Sequence, residues 1–213
     1  MRYPAILILL LCLNAVSAQT LTDSIIKKFT HEHDTIKAAK YIECAALIQN
    51  KDYANCIKLC DAAIALAQKN SRPFLVADAT FLKGLTSYFA GEYDATLNYY
   101  LTAIRQFDQL HNSTAQAKVY NELAFLYRKQ KNDTAALNSF KDAYRLAMAD
   151  HNEAVMATAV NNQGVWAQDR GDHHTALQLF KQAQALYIKL GDSIGVSYTM
   201  DYSAVSYAAQ KKY

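Results

Sequence analysis

Two stretches of this 213-residue chain decide its fold: GLTSYFAGEYDATLNYYLTA at residues 84–103 and GVWAQDRGDHHTALQLFKQA at residues 164–183. Both have a glycine at the first position, a second glycine at the eighth, an aromatic residue at the seventeenth and an alanine at the twentieth. The same spacing returns in weaker form elsewhere in the chain, always at an offset of 40 residues, as between Gly84 and Ala124 and between Ala124 and Gly164. A fixed internal period of this length is typical of repeat proteins.

Four alignment columns of this period keep one size class in most rows. The first holds small residues: Cys44, Gly84, Ala124, Gly164 and Ala204. The second column also holds small residues: Cys56, Thr96, Ala136 and Ala176. The third is mostly aromatic: Cys60, Tyr100, Phe140 and Phe180. The fourth holds alanine in every row: Ala63, Ala103, Ala143 and Ala183. Small side chains let two helices approach closely, and the aromatic ring fills the gap toward the next unit. One unit cannot bury its own apolar face, so we expect the units to stack.

Each unit is predicted to contain two helices. Apolar residues recur at helical spacing from Tyr120 to Tyr127, and again from Ala136 to Tyr144. The i, i+3, i+4, i+7 pattern is that of an amphipathic helix. The polar run Lys131-Asn132-Asp133 separates the two segments and predicts a turn.

The period divides the chain into units of about 33–72, 73–112, 113–152 and 153–192, with a partial fifth at 193–213 and a lead-in helix or linker at 19–32. Tyr213 falls in the column that begins a second helix, so the preceding helix is expected to lack a partner. Solenoids normally end with a polar capping helix. We therefore expect these residues to be the front of a longer protein; the alternative is a complete or degraded reading frame with an uncapped end.

Composition excludes several classes of protein. Hydrophobic residues make up 52% and charged residues 19%, which excludes wholesale disorder. With only 6 glycines and 2 prolines, a turn-rich β-sandwich or barrel and a glycine-cradled nucleotide site are disfavoured. The net charge of +3 comes without a long basic run, so we expect neither nucleic acid nor an anionic membrane surface as a partner.

The segment from Met1 to Ala18 has the features of a secretory signal. Arg2 precedes the apolar run from Ala5 to Leu13, and the sequence Val16-Ser17-Ala18 forms a small-x-small cleavage site. The apolar run is too short to span a bilayer, which takes about 20 residues. We predict cleavage after Ala18; the alternative is a buried N-terminal strand or helix.

The columns resemble those of the tetratricopeptide repeat (TPR) family. The best copies run from Gly84 through Gly91-Glu92-Tyr93 to Ala103, and from Gly164 through Gly171-Asp172-His173 to Ala183. The resemblance covers about residues 33–213 and implies an all-α fold: a right-handed α-solenoid of about four full helix-turn-helix repeats plus a truncated fifth. The chain departs from the family in its period, about 40 residues instead of about 34, and lacks the consensus Trp of the first helix.

The resemblance also implies a ligand-binding face, because first helices line the concave side of such arrays. Carried over position by position, the peptide-binding residues are Tyr41, Asp78, Phe81, Leu85, Tyr88, Lys118, Asn121, Phe125, Arg128, Asn161, Gln168 and Asp201. Aromatic anchors beside amide and charged groups suit an extended peptide or a helix. The alternative is a mixed solvated face with Phe81 and Phe125 packed between units.

Motifs for catalysis are not found. The sequence contains no phosphate-binding Gly-x-x-x-x-Gly-Lys, no dinucleotide loop and no nucleophile elbow. The run His31-Glu32-His33-Asp34 lacks the spacing of a zinc motif, and His173-His174 begins a second helix. We therefore predict no catalytic, metal or cofactor-binding residues and no enzyme activity in this segment, although a missing C-terminal kinase domain would add one.

Three cysteines lie beyond the leader. Cys44 and Cys56 fall in the two small columns, which touch in the repeat fold, so a disulfide between them is within reach. An exported protein meets an oxidising compartment, which favours such a bond. The alternative is that all three cysteines are small buried hydrophobic residues, with Cys60 in the aromatic column.

These patterns favour a non-catalytic module that binds a protein or peptide and needs no cofactor. An exported repeat array resembles the N-terminal region of bacterial sensor histidine kinases and related signalling proteins. The resemblance implies a periplasmic sensory or scaffolding role, with membrane attachment only through a missing C-terminal anchor; self-association stays open. The alternative is a free-standing periplasmic TPR adaptor in envelope assembly.

Overall fold

The computed structural model describes residues 18–210, in which helices alternate with short turns and no strand occurs. The helices are α1 (Ala18–Lys28), α2 (Asp34–Ile48), α3 (Tyr53–Lys69), α4 (Pro73–Ala90), α5 (Tyr93–Gln109), α6 (Ser113–Lys129), α7 (Asp133–Ala149), α8 (Glu153–Asp169), α9 (His173–Leu190) and α10 (Ser193–Gln210). Each predicted unit between residues 33 and 192 holds one pair, and α10 lies in the partial fifth. Residues 1–17 of the proposed leader lie outside the described residues, and so does Tyr213.

The turns between helices recur at a constant spacing, which is half of the repeat period. Seven residues with a left-handed backbone mark them: Ser71, Gly91, His111, Lys131, His151, Gly171 and Gly191. In most turns the next residue is Asn or Asp, and its side chain accepts a hydrogen bond from the backbone N–H three residues on, as Asn112, Asn132, Asn152 and Asp172 do. Such capping satisfies a donor that the helix itself leaves unpaired. Helix and turn together therefore form a segment of constant length that is used repeatedly.

The chain divides into two compact units, residues 1–102 and residues 103–213. In the first unit, α1 to α4 surround one apolar core, to which the following residues contribute: Ile25, Phe29, Tyr41, Ile48, Leu59, Cys60, Ala79 and Leu82. Gly84 of α4 packs against Tyr100, and a Cβ at residue 84 would lie 2.5 Å from the Tyr100 ring. The predicted small and aromatic columns meet at this contact.

In the second unit, successive helices pack through alanine. Ala117, Ala143 and Ala159 are fully buried where α6, α7 and α8 meet. Gly164 of α8 lies against Phe180 of α9, and a Cβ at residue 164 would lie 2.6 Å from that ring. Small residues in the first helix therefore make room for the aromatic residue in the second helix, as the alignment columns predict.

The disulfide that the sequence allows between Cys44 and Cys56 is not formed. The three cysteines within residues 18–210 are all buried free thiols. Cys56 Sγ lies 2.9 Å from Thr86 Oγ1 and 3.4 Å from the carbonyl oxygen of Ala45. A hydrogen bond to Cys60 lowers the pKa of the Cys56 thiol, whereas the same bond and burial raise the pKa of Cys60. The cysteines thus act as small packing residues, which is the alternative that the sequence left open.

Candidate functional site

In the first compact unit, residues 1–102, aromatic residues of the predicted binding face pack against other aromatic rings. Tyr41 is buried in the core. The Phe81 and Tyr100 ring centroids are 5.9 Å apart. The Tyr88 ring lies 6.0 Å from that of Tyr93 at the start of the second helix. Packing therefore fixes these rings, and Tyr41 has no surface left for a ligand.

The other two predicted residues of this unit, Asp78 and Leu85, are half-buried. Leu85 lies against the apolar core. Most of the predicted face in this part of the chain therefore packs against neighbouring side chains.

In the second compact unit, residues 103–213, the predicted face is built on α6 and α8, which contact each other. Phe125 stands edge-on to Phe140 with ring centroids 5.5 Å apart. The Arg128 guanidinium carbon lies 5.6 Å from the centroid of the Phe125 ring. Arg128 also forms an ion pair with Asp169 of α8. The aromatic anchor and its cation are thereby held in one orientation.

Two asparagines lie at equivalent positions on these helices, Asn121 on α6 and Asn161 on α8. Their amide oxygens Oδ1 are both buried and accept no hydrogen bond within the structure. An unpaired buried polar atom costs about 1–3 kcal/mol, so two such atoms in one column need an explanation. Asn121 is only 4% exposed, whereas Asn161 is half-buried.

The remaining predicted residues of the second unit differ in their surroundings. Lys118 and Asp201 are exposed. Gln168 is engaged, because its Nε2 donates to the carbonyl oxygen of Tyr202 and to Ser206 Oγ, both at 2.7 Å. Gln168 therefore joins α8 to α10.

Glu122 was missed by sequence reasoning. It is partly buried on α6 next to Asn121, and burial raises the pKa of its carboxyl to about 7. The available signal was its alignment column, because other rows place Ile42 and Leu82 there. A carboxyl group in a mostly apolar column indicates an unfavourable environment for its charge.

The chemistry of this face suits recognition. Within residues 18–210, no three His, Cys, Asp or Glu side chains come together as metal ligands would. Charged groups on the same two helices include the ion pair of Arg128 with Asp169, the exposed amine of Lys118 and the partly buried carboxyl of Glu122. Together with the asparagine amides and the Phe125 ring, these groups can hold an amide backbone, an apolar side chain and an acidic side chain.

No family model matches the chain. The chain is 25% identical over 137 residues to Tetratricopeptide repeat protein 29 of Macaca fascicularis, across 64% of this chain and 29% of that protein. It is also similar to two solved structures. One is a Signal Transduction ATPase with Numerous Domains protein with a tetratricopeptide repeat sensor from Pyrococcus horikoshii, with TM-score 0.73 and 11% identity over 95% of this chain and 32% of that one.

The other consists of the nearly identical TPR-like repeats of a putative kinesin light chain from Podosopora anserina, with TM-score 0.63 and 14% identity over 85% of this chain and 90% of that one. The chain has the fold of these tetratricopeptide-repeat structures. The predicted all-α fold of helix-turn-helix repeats is confirmed. The chain spans about 29% of the length of the curated relative that it matches.

Within residues 18–210, none of the helices has both the length and the hydropathy that a membrane span requires.

Proposed function

We propose that this chain is a tetratricopeptide-repeat protein that binds a segment of another protein along the face formed by α6 and α8. The observation that carries the proposal is the pair of unpaired amide oxygens at Asn121 and Asn161. A peptide laid across both helices would meet the half-buried Asn161 on α8, whereas Asn121 on α6 is 4% exposed and would have to move to reach the peptide. Amide groups bind a peptide backbone whatever its sequence, and the neighbouring Phe125 supplies apolar contact area.

Charge sets a preference within this face. Lys118 is exposed on α6, whereas Arg128 is neutralised by Asp169. The free amine of Lys118 favours an acidic residue in the ligand, at the end of the face opposite the aromatic anchor.

Two substitutions together test this face. In Phe125→Ala with Arg128→Ala, we expect a peptide selected on the intact chain from a displayed random library to bind about ten-fold more weakly or worse, because its anchor is lost. Calorimetry gives the affinity, and circular dichroism shows whether the helices persist.

The matched control is Arg145→Ala with Met148→Ala, two exposed residues on α7, which should leave the affinity unchanged. Equal affinity for the Phe125/Arg128 variant and the native chain would remove the proposal.

We further propose that the chain acts outside the cytoplasm of a bacterium, as the periplasmic sensory or scaffolding part of a signalling protein. The apolar run and the small-x-small site of residues 1–18 support export. Expression in a bacterium followed by N-terminal sequencing tests it: we expect the mature chain to begin at Gln19 in the periplasmic fraction. An uncleaved chain that stays in the cytoplasm contradicts export.

The alternative is a free-standing periplasmic adaptor. The reading frame beyond codon 213 separates the two roles. Further repeats followed by an apolar helix of about 20 residues and an output domain support the receptor, whereas a stop codon supports the adaptor.

A further inference from the structure

The turn between α4 and α5, residues 88–94, presents aromatic side chains to solvent. The Tyr88 ring is the centre of a cluster, because its centroid lies 5.9 Å from that of Phe89 and 6.0 Å from that of Tyr93. Phe89 and Tyr93 are 55% and 37% exposed. All three residues belong to the first compact unit. The turn therefore holds two exposed rings against a third ring that is half-buried.

Packing within the repeat does not require an aromatic residue at Phe89. In the other complete repeats, the column of Phe89 holds Gln49, Lys129 and Asp169. A column of polar residues indicates a position that faces solvent in every repeat. Contiguous apolar surface at such a position, unlike a single exposed residue, marks an interaction site.

The turn also carries two carboxylates without a cation. Glu92 and Asp94 flank Tyr93 in the sequence and are exposed. Within residues 18–210, neither carboxylate forms an ion pair. The turn contains no Lys, Arg or His, whereas each equivalent stretch contains at least one: residues 48–54, 128–134 and 168–174.

The second compact unit shows what an aromatic ring and a carboxylate hold together in this protein. The Arg170 guanidinium carbon lies 5.1 Å from the centroid of the Trp166 ring, and Arg170 also forms an ion pair with Asp133. Arg128 is held in the same way, between a ring and a carboxylate. The turn at residues 88–94 has both of these groups and lacks the arginine.

We propose that the turn at residues 88–94 binds an arginine side chain of a partner protein. The guanidinium stacks on the exposed rings of Phe89 and Tyr93, and its N–H groups donate to the carboxylates of Glu92 and Asp94. Arginine fits this surface better than lysine, because a planar guanidinium stacks on a ring and donates to a carboxylate at the same time. The proposal does not depend on the proposed function, since none of these residues lies on α6 or α8.

The probe is the blocked peptide acetyl-Gly-Arg-Gly-amide, titrated at millimolar concentrations into the full chain. Nuclear magnetic resonance of the aromatic side chains reports on each ring. We expect the signals of Phe89 and Tyr93 to shift and to saturate. The same peptide with citrulline in place of arginine lacks the positive charge and should shift them little, and the lysine peptide should bind more weakly than the arginine peptide.

Substitutions in the turn test the two kinds of group separately. Phe89→Ala and Glu92→Gln should each weaken binding of the arginine peptide about two- to five-fold, the effect of losing one exposed cation–π contact or ion pair. The matched controls are Tyr198→Ala, at a tyrosine that is 58% exposed, and Asp23→Asn, at an exposed carboxylate of α1. Both controls should leave the affinity unchanged.

Three results overturn the proposal: no saturable shift at Phe89 and Tyr93, equal binding of the citrulline or lysine peptide, or equal losses in the control variants. Dimerisation of the free chain that Phe89→Ala abolishes would also overturn it, since a second copy of the chain would then cover the turn.

Discussion

At residue 164 the absence of a side chain determines how closely two helices can pack. A Cβ there would lie 2.6 Å from the Phe180 ring, which is shorter than any real carbon contact. The ring is fully buried, so it has no free space into which to move. A glycine in the middle of a helix costs about 1 kcal/mol relative to alanine, and here the close packing with Phe180 offsets that cost.

We therefore expect Gly164→Leu to destabilise the chain by about 1–3 kcal/mol or more through overpacking. Thermal unfolding followed by circular dichroism measures the effect. Ala185→Leu, at an exposed position of α9, is the control and should change the melting temperature little. An unchanged melting temperature in the Gly164 variant would argue against this packing.

Glu122 makes stability depend on pH. Its pKa is about 7 in the folded chain, against an ordinary value of 4.5. Between these values the folded chain holds a proton that the unfolded chain has lost, so the free energy of unfolding decreases as the pH rises. The contribution of Glu122 is fully present below pH 4.5 and is lost as the pH rises through 7.

Glu122→Gln removes this dependence. We expect the variant to match the native chain at pH 4.5 and to be more stable at pH 8, by at most about 3 kcal/mol. The gain shrinks to the extent that water reaches the carboxylate. Urea unfolding at both values of pH gives the difference. A gain that is equal at pH 4.5 and pH 8 would show that the charge of Glu122 is not the cause.

At the scale of one helix and its turn, the backbone adopts the left-handed conformation once in every half repeat from Ser71 to Gly191. Glycine fills the left-handed position at residues 91, 171 and 191 and adopts it without strain. Ser71, His111, Lys131 and His151 fill the same position with φ between 51° and 58°. For a residue with a Cβ, this conformation costs about 1–2 kcal/mol. The turn is thus set by the segment length even where the residue is unfavourable.

Lys131→Gly should therefore raise the free energy of unfolding by about 0.5–1 kcal/mol, since relief of strain exceeds the added freedom of the unfolded chain. Gly171→Ala should lower it by a similar amount, because it introduces the strain that Lys131 bears. Denaturant unfolding of the two variants side by side measures both changes. Shifts of the same sign would contradict this account of the turns.

At the scale of the whole described chain, burial is unequal among the first helices. In α8, six residues are buried: Val155, Ala157, Ala159, Val160, Gly164 and Ala167. In α10 only Gly195, Thr199 and Ser206 are buried. Local opening costs less where fewer apolar groups leave their contacts.

Amide hydrogen exchange should reflect this difference. We expect the central amides of α10 to exchange about ten-fold faster or more than those of α8 under native conditions. Mass spectrometry of peptic fragments gives the comparison within one sample. Equal protection of the two helices would mean that the open side of α10 is covered in solution.

The fold could be predicted from the sequence because its packing constraints repeat. The pair of Gly164 and Phe180 recurs as a small and an aromatic residue in every complete repeat but the first, where both are cysteines. A single pattern therefore predicts each pair of helices. The polar part of the site could be predicted less well. Nothing in the spacing of Gln168 or Arg128 indicates that each already bonds to a residue of the next first helix. Such bonds depend on side-chain rotamers, which leave no period in a sequence.

The regular turns also bear on how a chain of this kind can change in length. Asn112 and Asn152 are both caps that follow a left-handed residue, and each precedes a first helix. An in-frame duplication or deletion of the codons between two such points would keep every cap and every left-handed turn in register. A change of half that length would instead exchange first and second helices, placing aromatic residues where glycines are needed. The positions of the turns therefore favour changes in length by whole pairs of helices.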